Sequence, residues 1–307
     1  MSKTAIIYNG VHIENDVDLI ACSLTDGNGG QQDYCKITFS NGDKLWNEWQ
    51  PQYNDTVQAV KGNIDSGVMF VNGIDNDNSN YTLTLLSTPT TAKRQKTRVW
   101  RDVELSEVAN DVGNNIGFKI LFFDFTDRYY KSLSQKNQTD IAFLSNICEK
   151  EGYKVKIFNR EIIIFSENAL RSTPAIGEDI KPEHCTYYSF NDENTPLSAV
   201  TVKYYDLTSR LIEYTAVDNA VKGGSLTVIE RVDNQAHAER LAECMLKNNN
   251  NYVACGTLKL KYADVFSSGS VINLDGFKGY NGKWYIYKSI FNLTNEDCYF
   301  KIAKVKG

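Results

Sequence analysis

The three histidines of the chain, His12, His184 and His237, lie far apart in the sequence. No H-x-x-x-H pair and no C-x-x-C occurs, so the spacing of a zinc site is missing. The nearest cluster is Glu183-His184-Cys185. Neighbours on an extended chain point in opposite directions, so these three converge poorly on one ion. His237 falls beside Glu239 and Arg240, on the side of its helix expected to face solvent. Asp75, Asp77 and Ser79 mimic the first ligands of a calcium loop. Such a loop needs Gly at its sixth place and Glu at its twelfth, and here Asn80 and Leu86 stand there, so a polar hairpin turn is expected. The Gly-rich "DGNGG" precedes a strand, whereas a phosphate cradle lies between a strand and a helix; it is expected to be a turn. No G-x-S-x-G is present, and the acidic pairs Asp124/Asp127 and Glu149/Glu151 sit at no spacing that specifies a hydrolase. They are expected on the solvated surface. Catalytic residues, metal ligands and cofactors are therefore all assigned as none.

The aromatic residues are the remaining signal, with 4 Trp, 18 Tyr and 14 Phe. Trp46 and Trp49 stand three apart just before Pro51, as a carbohydrate-stacking platform or as a packed corner closing a barrel. Near the C-terminus, "GYNGKWYIYKSIF" opens with Asn281-Gly282, a hairpin signal. Strict alternation sends Trp284, Ile286 and Ile290 to one face and Tyr285, Tyr287 and Phe291 to the other. Both faces are apolar, so something must cover the second. Tyr and Trp are enriched where proteins meet, which makes Tyr285, Tyr287, Phe291, Trp46 and Trp49 candidates for a subunit or partner interface.

These residues need elements to hold them. The 307 residues favour two or three domains, and 42% hydrophobic with 23% charged content is ordinary for a globular chain. The net charge of −5 gives no broad basic surface for nucleic acid. The basic cluster Lys93, Arg94, Lys96, Arg98 and Arg101 is expected to be a solvated linker. The N-terminus lacks the apolar core of a signal peptide, and no window approaches the roughly 20 apolar residues of a membrane span. The seven cysteines are scattered and odd in number, as in a chain made in a reducing cytosol.

Residues 1 to about 88 read as short strands between Gly, Asn and Asp turns, the pattern of a closed sheet or sandwich. Two helices follow. The first carries Leu105, Val108, Ala109, Val112 and Ile116 on one face and ends at Gly117. The second is capped by Thr139 and carries Ile141, Leu144, Ile147 and Cys148. From about residue 185 strands return, interrupted by one helix with Asp233 at its start and Ala238, Leu241, Ala242 and Met245 along its apolar stripe. The layout is β, α/β, β.

Several segments together resemble the phage late control D proteins. "YNGVHIENDVDLIACSLTDGNGGQQDYCKITFSNGDKLW" is similar to the opening of that family. "KTRVWRDVELSEVANDVGNNIGFKI" and "YYKSLSQKNQTDIAFLSNICEKEGYKVKIFNREIIIFSE" resemble its central segments. "LSAVTVKYYD", "QAHAERLAECML" and the closing G-x-x-G-K-W-Y-I hairpin fit as well. The order and spacing of the segments carry the likeness, which spans nearly the whole chain. A histidine common in the family near Phe291-Asn292 is missing here.

The resemblance implies a β-rich α+β fold with two tail-tube-like β-barrel domains, at 1–92 and 173–307, flanking a small α/β domain at 93–172. It also implies a non-enzymatic baseplate hub of a contractile phage tail or tail-like bacteriocin. Such a hub is a homotrimer whose pseudo-sixfold ring joins the hexameric tail tube to a trimeric central spike, here a separate protein. Tape measure and baseplate wedge proteins are further implied partners, with no specific nucleic acid and no membrane insertion. The implied place is the virion or tail-like particle, assembled in the bacterial cytoplasm. The alternative is a cell-wall-binding or cell-wall-degrading tail protein.

Overall fold

The computed structural model describes residues 3–29, 32–192, 195–205, 210–261 and 263–305. The first part of the chain supplies β1 (Ala5–Tyr8), β2 (Val11–His12), β3 (Leu19–Gly27), β4 (Tyr34–Ser40), α1 (Leu45–Trp49), β5 (Thr56–Lys61), β6 (Ile64–Asp65), β7 (Met69–Asn76) and β8 (Asn80–Leu86). The middle supplies β9 (Gln95–Glu104), α2 (Leu105–Ile116), β10 (Lys119–Phe123), β11 (Tyr129–Thr139), α3 (Asp140–Lys150), β12 (Tyr153–Phe158), β13 (Glu161–Ser166) and α4 (Glu167–Arg171). The last part supplies β14 (Cys185–Asn191), β15 (Leu197–Tyr205), β16 (Leu211–Val217), β17 (Gly224–Ile229), α5 (Gln235–Asn250), β18 (Cys255–Lys261), β19 (Val271–Leu274), β20 (Gly282–Asn292) and β21 (Asp297–Lys304).

Strands from the first and last parts belong to one sheet. Among the described residues it has 13 strands in the order β14-β18-β21-β20-β3-β4-β8-β7-β5-β1-β2, with β19 on β20 and β6 on β5. The join is the β3–β20 pairing, which sets Phe291 opposite Leu24. Alternation fills a single core across that join, from Ile37, Phe39 and Leu83 to Trp284, Ile286 and Phe300. Each large apolar side chain buried there contributes about 1.5–3 kcal/mol.

The stretch 173–307 does not build one barrel. β15, β16 and β17 leave the main sheet and form their own, in the order β16-β15-β17 with β17 parallel to β15. Helix α5 packs Ala238, Leu241, Ala242 and Leu246 onto Val200, Val202 and Ala216 of that sheet. Leu246 is buried where Met245 was expected, and Met245 is only partly covered. The cap of α5 is Asn234, whose side chain accepts from the His237 backbone N–H, and Asp233 lies one residue outside.

The middle unit holds a mixed β10-β13-β12 sheet and a two-stranded β11-β9 ribbon. Helices α2 and α3 bury Leu105, Val108 and Val112 together with Phe143, Leu144, Ile147 and Cys148 between them. Gly117 closes α2 at φ 73°, a left-handed position that suits glycine. Thr139 caps α3 as expected, accepting from Ala142. Asn159 and Arg160, at φ 47° and 63°, make the tight β12–β13 turn. The basic cluster is not a linker. Lys96 and Arg98 lie on β9, where both reach Asp140, at 2.6 and 3.1 Å, and Arg98 also reaches Asp111 at 2.6 Å. Among the described residues no helix is long and apolar enough to cross a membrane.

Candidate functional site

The terminal hairpin departs from strict alternation. Leu274 pairs with Gly282, so the β19–β20 connection is a seven-residue loop and not a two-residue turn at Asn281-Gly282. Asn281 closes it by accepting from the Phe277 N–H at 2.6 Å. A bulge between Ile286 and Lys288 then shifts the β20–β21 register. An extra residue reverses the parity of everything after it. Trp284 and Ile286 face the shared core as expected, but so does Phe291, while Ile290 turns away.

The second face is covered from within the chain. Tyr285 is 0% exposed, and the Asn28 amide donates to its hydroxyl. The Arg171 guanidinium, at the end of α4, lies 4.5 Å from the Tyr285 ring centre and 5.0 Å from that of Tyr252. Arg171 also donates to Glu167 at 2.7 Å. Tyr252 meets Tyr287 edge-on at 5.3 Å. Burial pushes the Tyr287 hydroxyl up to about 12 and raises those of Tyr252 and Tyr285 as well. Trp46 is likewise interior, stacked on Phe39 at 4.4 Å and on Tyr81 at 5.1 Å. Trp46 is thus part of a packed corner, with Trp49 against it on the outer side at 4.9 Å. Of the five candidate interface residues, Tyr285, Phe291 and Trp46 are occupied inside the chain and Tyr287 is half-buried. Trp49 remains 46% exposed, beside exposed Leu45 and Tyr53.

Two buried polar clusters escaped the sequence reading. Glu151 is not on the solvated surface. Its carboxylate accepts from the Tyr130 hydroxyl at 2.8 Å and lies 3.2 Å from both Arg128 Nε and Arg240 Nε. His237 reverses its expected exposure. Its side chain is 13% exposed, with Nε2 3.6 Å from Glu151 and Nδ1 accepting from the Asp233 N–H. Burial pulls its pKa below the usual value. Both residues tie α3 and β11 to α5.

The second cluster centres on Lys156 of β12. Its ammonium contacts Asp26, donates to the Gly27 carbonyl at 2.9 Å and to Ser268 Oγ at 3.2 Å, and lies 3.3 Å from Asp33. Burial alone would lower the Lys156 pKa, but the two carboxylates override it and leave it raised. Burial pushes Asp33 up to about 6, against the pull of Lys156. Beside this cluster Gly29 sits at φ 85°, where a Cβ would stand 2.9 Å from the Val155 carbonyl oxygen. The Gly-rich turn is therefore the point where the middle unit seats on the sheet; its Gly30 lies outside the described residues.

The polar residues singled out for chemistry stay apart. His184 Nδ1 accepts from the Lys181 N–H at 3.2 Å, and Asp77 accepts from the Ser79 and Asn80 N–H groups at 2.7 Å in a hairpin turn. Among the described residues, no group of three His, Cys, Asp or Glu could hold a metal ion. What the buried clusters do is fasten the middle unit, to α5 through Glu151 and to the main sheet through Lys156. The features left facing outward are surfaces.

No family model matches the sequence, and no curated protein does. Solved structures do match. The 43 kDa tail protein of prophage MuSo2 from Shewanella oneidensis superposes at TM-score 0.74 and 10% identity, covering 98% of each chain. The tail protein from Neisseria meningitidis MC58 gives 0.73 at 8% identity, over 98% of this chain and 96% of that one. The E. coli c3393 protein, a type VI secretion component with structural similarity to the T4 tail proteins gp27 and gp5, gives 0.54 at 11% identity, over 93% and 73%. The chain has the fold of these phage tail proteins, shared with a secretion-system component that is structurally similar to the T4 tail proteins gp27 and gp5.

Proposed function

We propose that the chain is a structural, non-catalytic baseplate hub that assembles as a homotrimer. In this reading the two halves of the continuous sheet are two tube-like modules fused edge to edge through β3 and β20. Three chains then present six such modules. Duplication inside a subunit is the simple way to match a sixfold tube to a threefold spike. The observation that carries the reading is the likeness to prophage tail proteins over 98% of the chain. Two surface features support it. Among the described residues β14 is an end strand of the sheet, and it carries exposed Tyr187 and Tyr188. The face of β16-β15-β17 away from α5 carries exposed Tyr205, Leu211 and Ile229 toward one end. End strands and grouped apolar side chains are what a protomer presents to its neighbours.

Trp49 is the proposed partner contact at the α1 corner. The proposed partners are the tail tube and a separate central spike, with tape measure and wedge proteins beyond them. The place is the virion or tail-like particle, assembled in the bacterial cytoplasm. Light scattering on the chain alone, with the spike and with the tube protein tests this. Uptake into threefold complexes supports the reading, and a monomer that joins neither partner sinks it.

A further inference from the structure

One face of the continuous sheet carries a charge that the composition hides. β18, β21, β20, β3 and β4 lie side by side, and their core side holds Leu258, Phe300, Phe291, Leu24 and Ile37. The register sets Lys259 and Lys261 of β18, Lys301 of β21, Lys288 of β20 and Lys36 of β4 on the opposite side. The cover supplied by Arg171 and Tyr252 stops at Tyr285 and Tyr287, before Lys288. Among the described residues, the one carboxylate on this side of these five strands is Asp297, which lies 3.1 Å from Lys259 and 2.9 Å from Lys261. Lys36, Lys288 and Lys301 make no ion pair with the described residues. Lys288 and Lys301 stand directly opposite each other in the β20–β21 register. Like charges so placed destabilise the strand pair, and an anion between them relieves it. Around them stand Ser23, Thr38, Thr257 and Asn292, with Tyr34, Ile290 and Tyr299 on the same side.

We propose that this lysine face binds nucleic acid through its phosphodiester backbone, without reading bases. Protein-docking surfaces are depleted of lysine at their centre, where this face concentrates it. Lysines with hydroxyl and amide donors are what contacts phosphates. The lysines spread over four strand spacings, about 19 Å, wide enough to touch several phosphates at once. A broad sheet face offers no helix or ribbon to enter a groove, so sequence is not read. The net charge of −5 rules out a basic surface over the whole molecule but not one basic face. The proposal concerns the single chain, and its failure leaves the hub reading standing.

Fluorescence anisotropy with a labelled DNA duplex of mixed sequence is the test. Neutralising three or four phosphates gives a log–log salt slope of about −2.7 to −3.6, a loss of roughly 40- to 150-fold between about 50 and 200 mM salt. The variant Lys36→Gln/Lys288→Gln/Lys301→Gln is expected to weaken binding at least about tenfold and to flatten the slope to about −1 or less. It removes a repelling pair, so its unfolding midpoint should match or exceed that of the parent. Lys93→Gln/Lys119→Gln/Lys136→Gln, at exposed positions elsewhere, is the control and should bind as the parent does. Absence of binding at low salt, or equal binding by the two variants, overturns the proposal. So does displacement by poly-glutamate at lower charge concentration than by DNA, which assigns the face to an acidic protein.

Discussion

Replacing Lys156 by Met tests how the middle unit is fastened to the sheet. Methionine keeps the apolar packing of the stem and deletes the charge. Asp26 and Asp33, with side chains 16% and 7% exposed, then share a site without their cation. Removing one partner of a buried pair costs about 3–5 kcal/mol. The low end applies here, because Asp26 keeps the Ser268 N–H at 2.9 Å and Asp33 keeps the Gly27 N–H at 2.7 Å. A loss of about 3 kcal/mol lowers Tm by roughly 5 °C in a chain of this size.

The penalty depends on pH. Burial already lifts Asp33 from 3.8 to about 6, and without Lys156 it rises further. A carboxyl raised by folding takes up a proton as the chain folds. Its contribution is fully present below the unfolded pKa and is lost as pH rises through the folded one. At pH 5 the variant therefore folds with Asp33 protonated, needing no cation, and its penalty shrinks to about 1 kcal/mol. Urea unfolding of the parent, Lys156→Met, Asp33→Asn and the double variant at pH 5 and pH 8 measures this. The double variant should recover most of the loss at pH 8. A penalty equal at both pH values, or below about 1 kcal/mol at pH 8, refutes the reasoning.

Other outcomes follow from the same contacts. His237 has a folded pKa below 6.5, so the stability it supports is full above that value and is lost as pH falls through it; the urea midpoint should drop between pH 7.5 and 5.5, and His237→Gln should flatten that drop. Arg171→Leu leaves Glu167, 2% exposed, with Lys154 3.9 Å away and should cost about 3–5 kcal/mol in urea unfolding, with most of it restored in Glu167→Gln/Arg171→Leu. Gly29→Ala strains a left-handed position and presses on Val155, so its thermal midpoint should fall further than that of Gly10→Ala, where no neighbouring atom stands within 4 Å. Trp49→Ala also removes ring contacts to Trp46 at 4.9 Å and Tyr8 at 5.1 Å, so it should cost about 1–3 kcal/mol in urea unfolding and, with the chain still folded, reduce uptake into complexes in light scattering.

Period was legible in the sequence and partnership was not. "YCKITFS" and "NYTLTLL" buried Cys35, Ile37 and Phe39, and Tyr81, Leu83 and Leu85, as their alternation implies. The helix stripes were readable for the same reason. Alternation does not say which sheet a strand joins. β20 pairs with β3, hundreds of residues away, while β15 to β17 alternate just as well and fold onto α5. The bulge before Lys288 leaves no mark in the residue types and reverses Ile290 and Phe291. Helical position alone puts His237 toward solvent. What buries it is Tyr130 and Glu151 of another unit, and that contact exists only once the units are docked. The alternation of "YKVKIF" sets Lys156 opposite buried Val155 and Ile157 and gives no sign of Asp26 and Asp33, which only the folded chain brings to it.

The most direct test of the hub account is the mass and symmetry of the chain co-expressed with the spike and tube proteins of its own particle. The account predicts a threefold ring built from three copies of the 34.7 kDa chain, bound to the spike on one side and to the tube on the other. A chain that stays at 34.7 kDa in the presence of both partners contradicts it.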